Sequence, residues 1–130
     1  MIVSEANISD IQALFEEWNQ ALQSGDPEKV ASLYAPDAVL LPTVSNQVRR
    51  NRQEIKEYFQ IFLSRRPRGS IDWSNIRIFE DIAINSGIYT FELSPPGEEP
   101  FSVQARYTFV YHWSGERWLI IEHHSSVMPE

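Results

Sequence analysis

The sequence has no cysteine, which excludes disulfides and thiolate metal sites and fits a reducing compartment. No apolar run approaches the roughly 18 residues that a membrane-spanning helix requires, so no membrane association is expected. The N-terminus, Met1-Ile2-Val3-Ser4-Glu5, lacks the basic start and long apolar stretch of a secretory signal, so the expected location is the cytoplasm. Positive charge is scarce: 11 Lys and Arg stand against 18 Asp and Glu, for a formal net charge of −7. A nucleic-acid partner is therefore not expected, because phosphate backbones demand positive surface. Internal repeats, linkers and low-complexity segments are also missing.

What is present is a globular composition. Of 130 residues, 42% are hydrophobic and 12% aromatic, enough for one domain, residues 1–130, with one core. Ser9-Asp10-Ile11-Gln12 has the form of a capping box. Ile11, Leu14, Phe15, Trp18, Ala21 and Leu22 follow it at helical spacing. Gly25 is the expected stop. Asp26-Pro27 starts a second, short helix carrying Val30, Leu33 and Tyr34. Ala38-Val39-Leu40-Leu41 reads as a short strand buried on both sides, ended by Pro42-Thr43. Asn51-Arg52-Gln53-Glu54 opens a third helix with Ile55, Tyr58, Phe59, Phe62 and Leu63 on its inner face, and Pro67 closes that segment.

From Gly69 the apolar period changes from 3.6 to 2. Strands are expected near 70–78, 81–93 and 101–113, with a last one over Trp118–Ser126 and turns at Pro95-Pro96-Gly97 and Ser114-Gly115. Three helices followed by a long antiparallel sheet, with one early strand among the helices, make an α+β fold. A curved sheet wraps the helices.

The last strand passes from Trp118-Leu119-Ile120-Ile121 into Glu122-His123-His124-Ser125-Ser126 and carries two of the three histidines. A strand that changes from hydrocarbon to imidazole and hydroxyl runs from a core towards a pocket or water. Even hairpin parity groups Tyr107, Phe109 and Tyr111 with Trp118, Ile120, Glu122, His124 and Ser126. The aromatic cluster marks this as the helix-facing side. His124 and Ser126 are then expected inside, and Arg106, His123 and Ser125 outside; a bulge would invert the assignment. Adjacent His123 and His124 face opposite ways, and His112 is far along the hairpin, so a three-histidine zinc site has no ligand set. His124 with Glu122 leaves weak manganese binding open. Tyr58 reads equally as a core residue with its hydroxyl at the edge. Arg49-Arg50-Asn51-Arg52 and Arg65-Arg66 read as a solvated rim, as ion pairs between subunits, or as an attraction for an anion. Trp73, Trp113, Trp118 and Tyr89 exceed what a small core needs, and a subunit interface is expected among them.

The stretches 34–43, Tyr58-Phe59, 86–91, 105–108 and 123–130 resemble the NTF2-like cone fold. More narrowly they resemble the branch related to the association domain of calcium/calmodulin-dependent kinase II. Within that branch, His123-His124-Ser125-Ser126 followed by Val127-Met128-Pro129-Glu130 resembles the iota-class carbonic anhydrases. The resemblance implies a cone-shaped cavity holding bicarbonate through hydroxyls of Thr43, Tyr58 and Ser126, with His124 beside them. It implies reversible hydration of CO2 without a metal, manganese or zinc being the alternative, and a homodimer or larger homo-oligomer. The alternative functions are a non-catalytic oligomerising association module, or a small isomerase or cyclase using a carboxylate base, for which Glu122 is the one inward candidate.

Overall fold

The computed structural model describes residues 6–130; Met1–Glu5, the stretch that lacks the features of a secretory signal, lies outside the described residues. Helix α1 covers Ile8–Ser24. It is capped by Asn7, whose side chain accepts from the Asp10 amide while the Asp10 carboxylate accepts from the Asn7 amide. The capping box therefore sits two residues before Ser9: the carboxamide of Asn7 and the carboxylate of Asp10 form the reciprocal pair, and Ser9 donates to Asn7 Oδ1 instead. Gly25 ends α1 in the left-handed conformation at φ 74°, as its sequence position demands. Asp26 and Pro27 open α2, Pro27–Ala31, and Asn51 caps α3, Arg52–Phe62. A 3₁₀ turn, Leu63–Arg65, follows α3.

The strands are β1 (Tyr34–Leu41), β2 (Arg68–Phe79), β3 (Ile82–Leu93), β4 (Phe101–Trp113) and β5 (Trp118–Val127). They form one five-stranded sheet in the order β1-β5-β4-β3-β2. β2 to β5 are antiparallel neighbours, but the sheet is not wholly antiparallel: the early strand joins its edge parallel to β5. β1 starts four residues earlier than the apolar run suggests, because Tyr34 already pairs with Ile120. Between Tyr34 and Val39 the pairing breaks, where Pro36 has no N–H to offer a ladder.

The inner face of the sheet carries the core. Phe15 and Trp18 of α1 lie 6.3 and 5.2 Å from Phe109 between ring centroids, and Trp18 stacks parallel to Tyr89 at 6.5 Å. α3 sets Phe59 6.1 Å from Tyr34 and Phe62 6.0 Å from Phe91. α1 is pinned to β2 by Asn19, whose carboxamide donates to the Gly69 carbonyl and accepts from the Gly69 amide. Of the surplus aromatics, Trp73 is 60% exposed on the outer face opposite Ile88, whereas Tyr89 is buried inside and Trp118 packs against Trp113. No helix among the described residues is long and apolar enough to cross a membrane.

Candidate functional site

β5 changes phase once. Trp113 pairs with Trp118 and Tyr111 with Ile120, as even hairpin parity requires, but Val110 then pairs with Glu122. Ile121 is the extra residue of a β-bulge, and beyond it the alternation is inverted. The physical reason lies in Glu122: regular alternation after Ile120 would drive its carboxylate into an aromatic core at a large desolvation cost. The bulge leaves Glu122 exposed and turns His123 and Ser125 inward, 3% and 4% exposed. His124 is exposed and Ser126 half-buried on the outer face. The expected assignment of His124 and Ser126 to the interior is thus corrected by one residue, to His123 and Ser125. Glu122 as an inward base is corrected with it.

The inner ends of β1, β3 and β5, with α1 and α3, enclose a small cavity. Its polar lining comes from Thr43, Tyr58, Tyr89, His123 and Ser125 besides the Trp18 indole, and its apolar wall from residues such as Phe59 and Phe91. The centres of water-sized molecules have about 20 Å³ to move in, room for a molecule of very few atoms. Thr43 and Tyr58 both reach this cavity, as the resemblance implies, and they meet His123 and Ser125 there instead of His124 and Ser126.

A chain of hydrogen bonds runs through the polar wall. The Trp18 indole N–H donates to Tyr34 Oη at 3.2 Å, and Tyr34 Oη lies 2.9 Å from His123 Nδ1. Tyr89 Oη lies 3.2 Å from His123 Nε2 and donates to Ser125 Oγ at 2.7 Å. Ser125 Oγ in turn bonds Thr43 Oγ1. Donor counting fixes the directions. Tyr89 spends its one proton on Ser125, so His123 must donate from Nε2. Its Nδ1 then accepts from Tyr34, whose oxygen accepts from Trp18. The Ser125–Thr43 bond uses one of the two hydroxyl protons, whichever of the two donates to the other, and both side chains line the cavity.

Burial holds His123 neutral, its pKa pushed down to about 3 with the neighbouring His124 acting in the same direction. Phe109 stacks on its ring at 4.0 Å. Such an imidazole orients hydroxyls and does not collect protons. The unfolded chain therefore binds more protons than the native one between pH 3 and the ordinary value near 6.5, so stability rises with pH across that window and is lost as pH falls through it. This single group is expected to cost about 1.4 kcal/mol per pH unit below pH 6.5. Imidazole ¹⁵N spectra of the native protein should show His123 neutral and protonated on Nε2 at pH 5. A charged ring, or a proton on Nδ1, would contradict the chain.

Tyr58 lies outside that chain. Its hydroxyl pKa is raised to about 12 by burial, with Arg49 and Arg65 pulling it back. The Arg49 guanidinium sits 5.1 Å above the Tyr58 ring, while Arg52 donates twice to the Tyr34 carbonyl, which the interrupted β1 ladder leaves open. These two arginines are thus not a solvated rim: Arg49 packs the site, and Arg52 anchors Tyr34. Sequence reasoning missed Trp18, Tyr34 and Tyr89 as site residues: Trp18 and Tyr34 sit in apolar patterns that read as core, and Tyr89 reads as one of the surplus aromatics of a subunit interface.

The donor set does not fit manganese or zinc. Among the described residues the cavity offers one imidazole, both of whose nitrogens are bonded to tyrosine hydroxyls, and no carboxylate. Among the described residues no group of three or more His, Asp or Glu is placed to hold a metal ion.

A sequence model of the calcium/calmodulin dependent protein kinase II association domain matches residues 7–129. A solved structure from Xanthomonas campestris, described as a candidate domain of that kind, is 49% identical with a TM-score of 0.94, covering 100% of this chain and 94% of that one. A candidate dehydratase of the NTF2-like family from Streptomyces avermitilis superposes with a TM-score of 0.84 at 14% identity, over 95% and 97% of the two chains. A candidate scytalone dehydratase from Novosphingobium aromaticivorans does so at 0.83 and 13%, over 93% and 83%. The last two show the fold alone, the NTF2-like α+β cone. No protein of curated function matches the chain.

Proposed function

The chain belongs to the calcium/calmodulin dependent protein kinase II association domain family, and from that premise we propose that it is a metal-free carbonic anhydrase, catalysing CO2 + H2O ⇌ HCO3⁻ + H⁺. The observation that carries this reading is the polar lining of the cavity: hydroxyls, one indole and one neutral imidazole, with no charged side chain among the described residues, around a space in which the centres of water-sized molecules have about 20 Å³ to move. Such a site suits a substrate of three or four heavy atoms whose oxygens accept hydrogen bonds. It does not suit the larger ring substrates of isomerases and cyclases, and among the described residues it holds no carboxylate to act as their base.

The free O–H of the Ser125–Thr43 pair and the Tyr58 O–H donate to the CO2 oxygens, where negative charge grows as water attacks carbon. A lone pair on the same Ser125–Thr43 pair accepts from the attacking water and orients it. Bicarbonate fits the same pattern, with acceptor oxygens on the two donors and its own O–H returned to that lone pair. The released proton leaves to water at the mouth, because burial keeps His123 from holding it. His123, Tyr34 and Tyr89 are positioning residues.

Stopped-flow CO2 hydration on chelator-treated protein tests the reading. Activity that survives chelation is expected. Activity lost on chelation and restored by manganese or zinc would overturn the mechanism, and no activity under any condition would overturn the function. A second reading, an oligomerising association module, is favoured by Trp73 and Phe79, 60% and 55% exposed on the outer face of the sheet. The two readings are compatible, since the sheet contributes to the cavity through its inner face, and self-association through the outer face would make the homodimer.

A further inference from the structure

A second, apolar chamber adjoins the hydroxyl-lined cavity. Val44, Phe62, Phe91, Leu93, Phe101 and Val103 line it, with Thr43 and Arg65 as its polar members, and the centres of water-sized molecules have about 100 Å³ to move in there against 20 Å³ in its neighbour. Thr43, Phe62 and Phe91 belong to both chambers. The arrangement follows from the topology. Leu93 and Phe101 pair at the β3–β4 turn end of the sheet, and Phe91 pairs with Val103 two residues further in. The loop after β1 lays Thr43 and Val44 beside them, and α3 brings Phe62. Val44 and Phe101 are 60% and 43% exposed, so the chamber opens to solvent there.

We propose that this apolar chamber is a binding subsite for a small neutral molecule, CO2 under the function proposed above, which passes from it across Thr43 to the hydroxyls. The proposal rests on that reading for the identity of the molecule. CO2 has no net dipole and is weakly hydrated, so an apolar wall accepts it without loss of hydrogen bonds. Bicarbonate carries a charge and an O–H that this wall cannot satisfy. The two chambers therefore sort the two partners of the reaction: the neutral one rests in the outer chamber, the anion is held by hydroxyls in the inner one. Among the described residues Arg65, exposed at the rim, is the one charged group lining the outer chamber.

Xenon is the probe, because it is neutral, apolar and binds protein cavities of this kind. Under xenon pressure the methyl resonances of Val44, Leu93 and Val103 are expected to shift saturably in the wild-type protein. Val103→Trp, which fills the chamber, should abolish that shift and lower kcat/KM for CO2 hydration about tenfold, while bicarbonate still perturbs the amide resonances of Thr43 and Ser125. Val103→Ile, a smaller intrusion, should weaken xenon binding in part. Absence of a saturable shift in the wild type overturns the proposal. So does a Val103→Trp protein that excludes xenon and keeps its full kcat/KM. A wild-type protein that binds xenon saturably but hydrates no CO2 overturns the anhydrase function and leaves the neutral-ligand subsite standing.

Discussion

Ser125→Ala is expected to lower kcat for CO2 hydration by about 10²-fold, the usual cost of one lost donor at a developing oxyanion, whereas Ser126→Ala stays within about twofold of wild type. The two serines are adjacent and chemically identical, so the contrast isolates geometry. Ser125 lies on the inner face, accepts from Tyr89 and bonds Thr43. Ser126 pairs with Arg106 on the outer side of β5. Removing the Ser125 hydroxyl takes away the partner of the Thr43 hydroxyl and leaves the Tyr89 hydroxyl without its acceptor, which costs stability of about 1–3 kcal/mol. Ser125→Thr separates the two effects, because it restores a hydroxyl and should recover part of the rate. A loss of activity in Ser126→Ala with Ser125→Ala unimpaired would refute the inverted phase of β5. Full activity in both would refute catalysis by these hydroxyls.

That contrast also shows what the sequence made legible. The capping residues, the change of period at Gly69 and the turn residues led to the element order, because each depends on neighbours within a few positions. The candidate site was legible to the strand and to the residue types, since β5 does run from a packed core into imidazole and hydroxyl. Its phase was not legible, because His-His-Ser-Ser presents one histidine and one serine inward in either register. Glu122 was the available signal: regular alternation from Trp118 and Ile120 places a carboxylate in the core, and the chain avoids this with a bulge. Tyr34 and Tyr89 were hidden for another reason. Their hydroxyls matter only because β1 and β3, 48 positions apart at their first residues, are brought to opposite nitrogens of His123, a relation that no local pattern carries.

Gly87→Ala is expected to be the most damaging single methyl in the molecule, lowering the melting temperature by more than about 10 °C. The cause is space, not conformational freedom. A Cβ at position 87 would stand 1.9 Å from the Trp73 carbonyl oxygen and 2.9 Å from Ser74 Cα, both backbone atoms that no side-chain rotation can clear. The crowding arises where β2 carries an extra residue: Ile71 pairs with Tyr89 and Trp73 with Ile88, so Asp72 is the bulged residue. There it accepts from Thr90 on β3 and from Gln104 on β4, the strand beyond, and the bulge bends β2 as a sheet curved around α1 requires. Relief would need β2 to part from β3 or the bulge to be lost, and either breaks ladder bonds two residues from Tyr89. Gly97→Ala is the control. At φ 77° with nothing within 4 Å, it meets only the left-handed strain of an L-residue, about 1–2 kcal/mol. If Gly87→Ala melts no lower than Gly97→Ala, β2 does not approach β3 as described, and the curvature that closes the cavity has another origin.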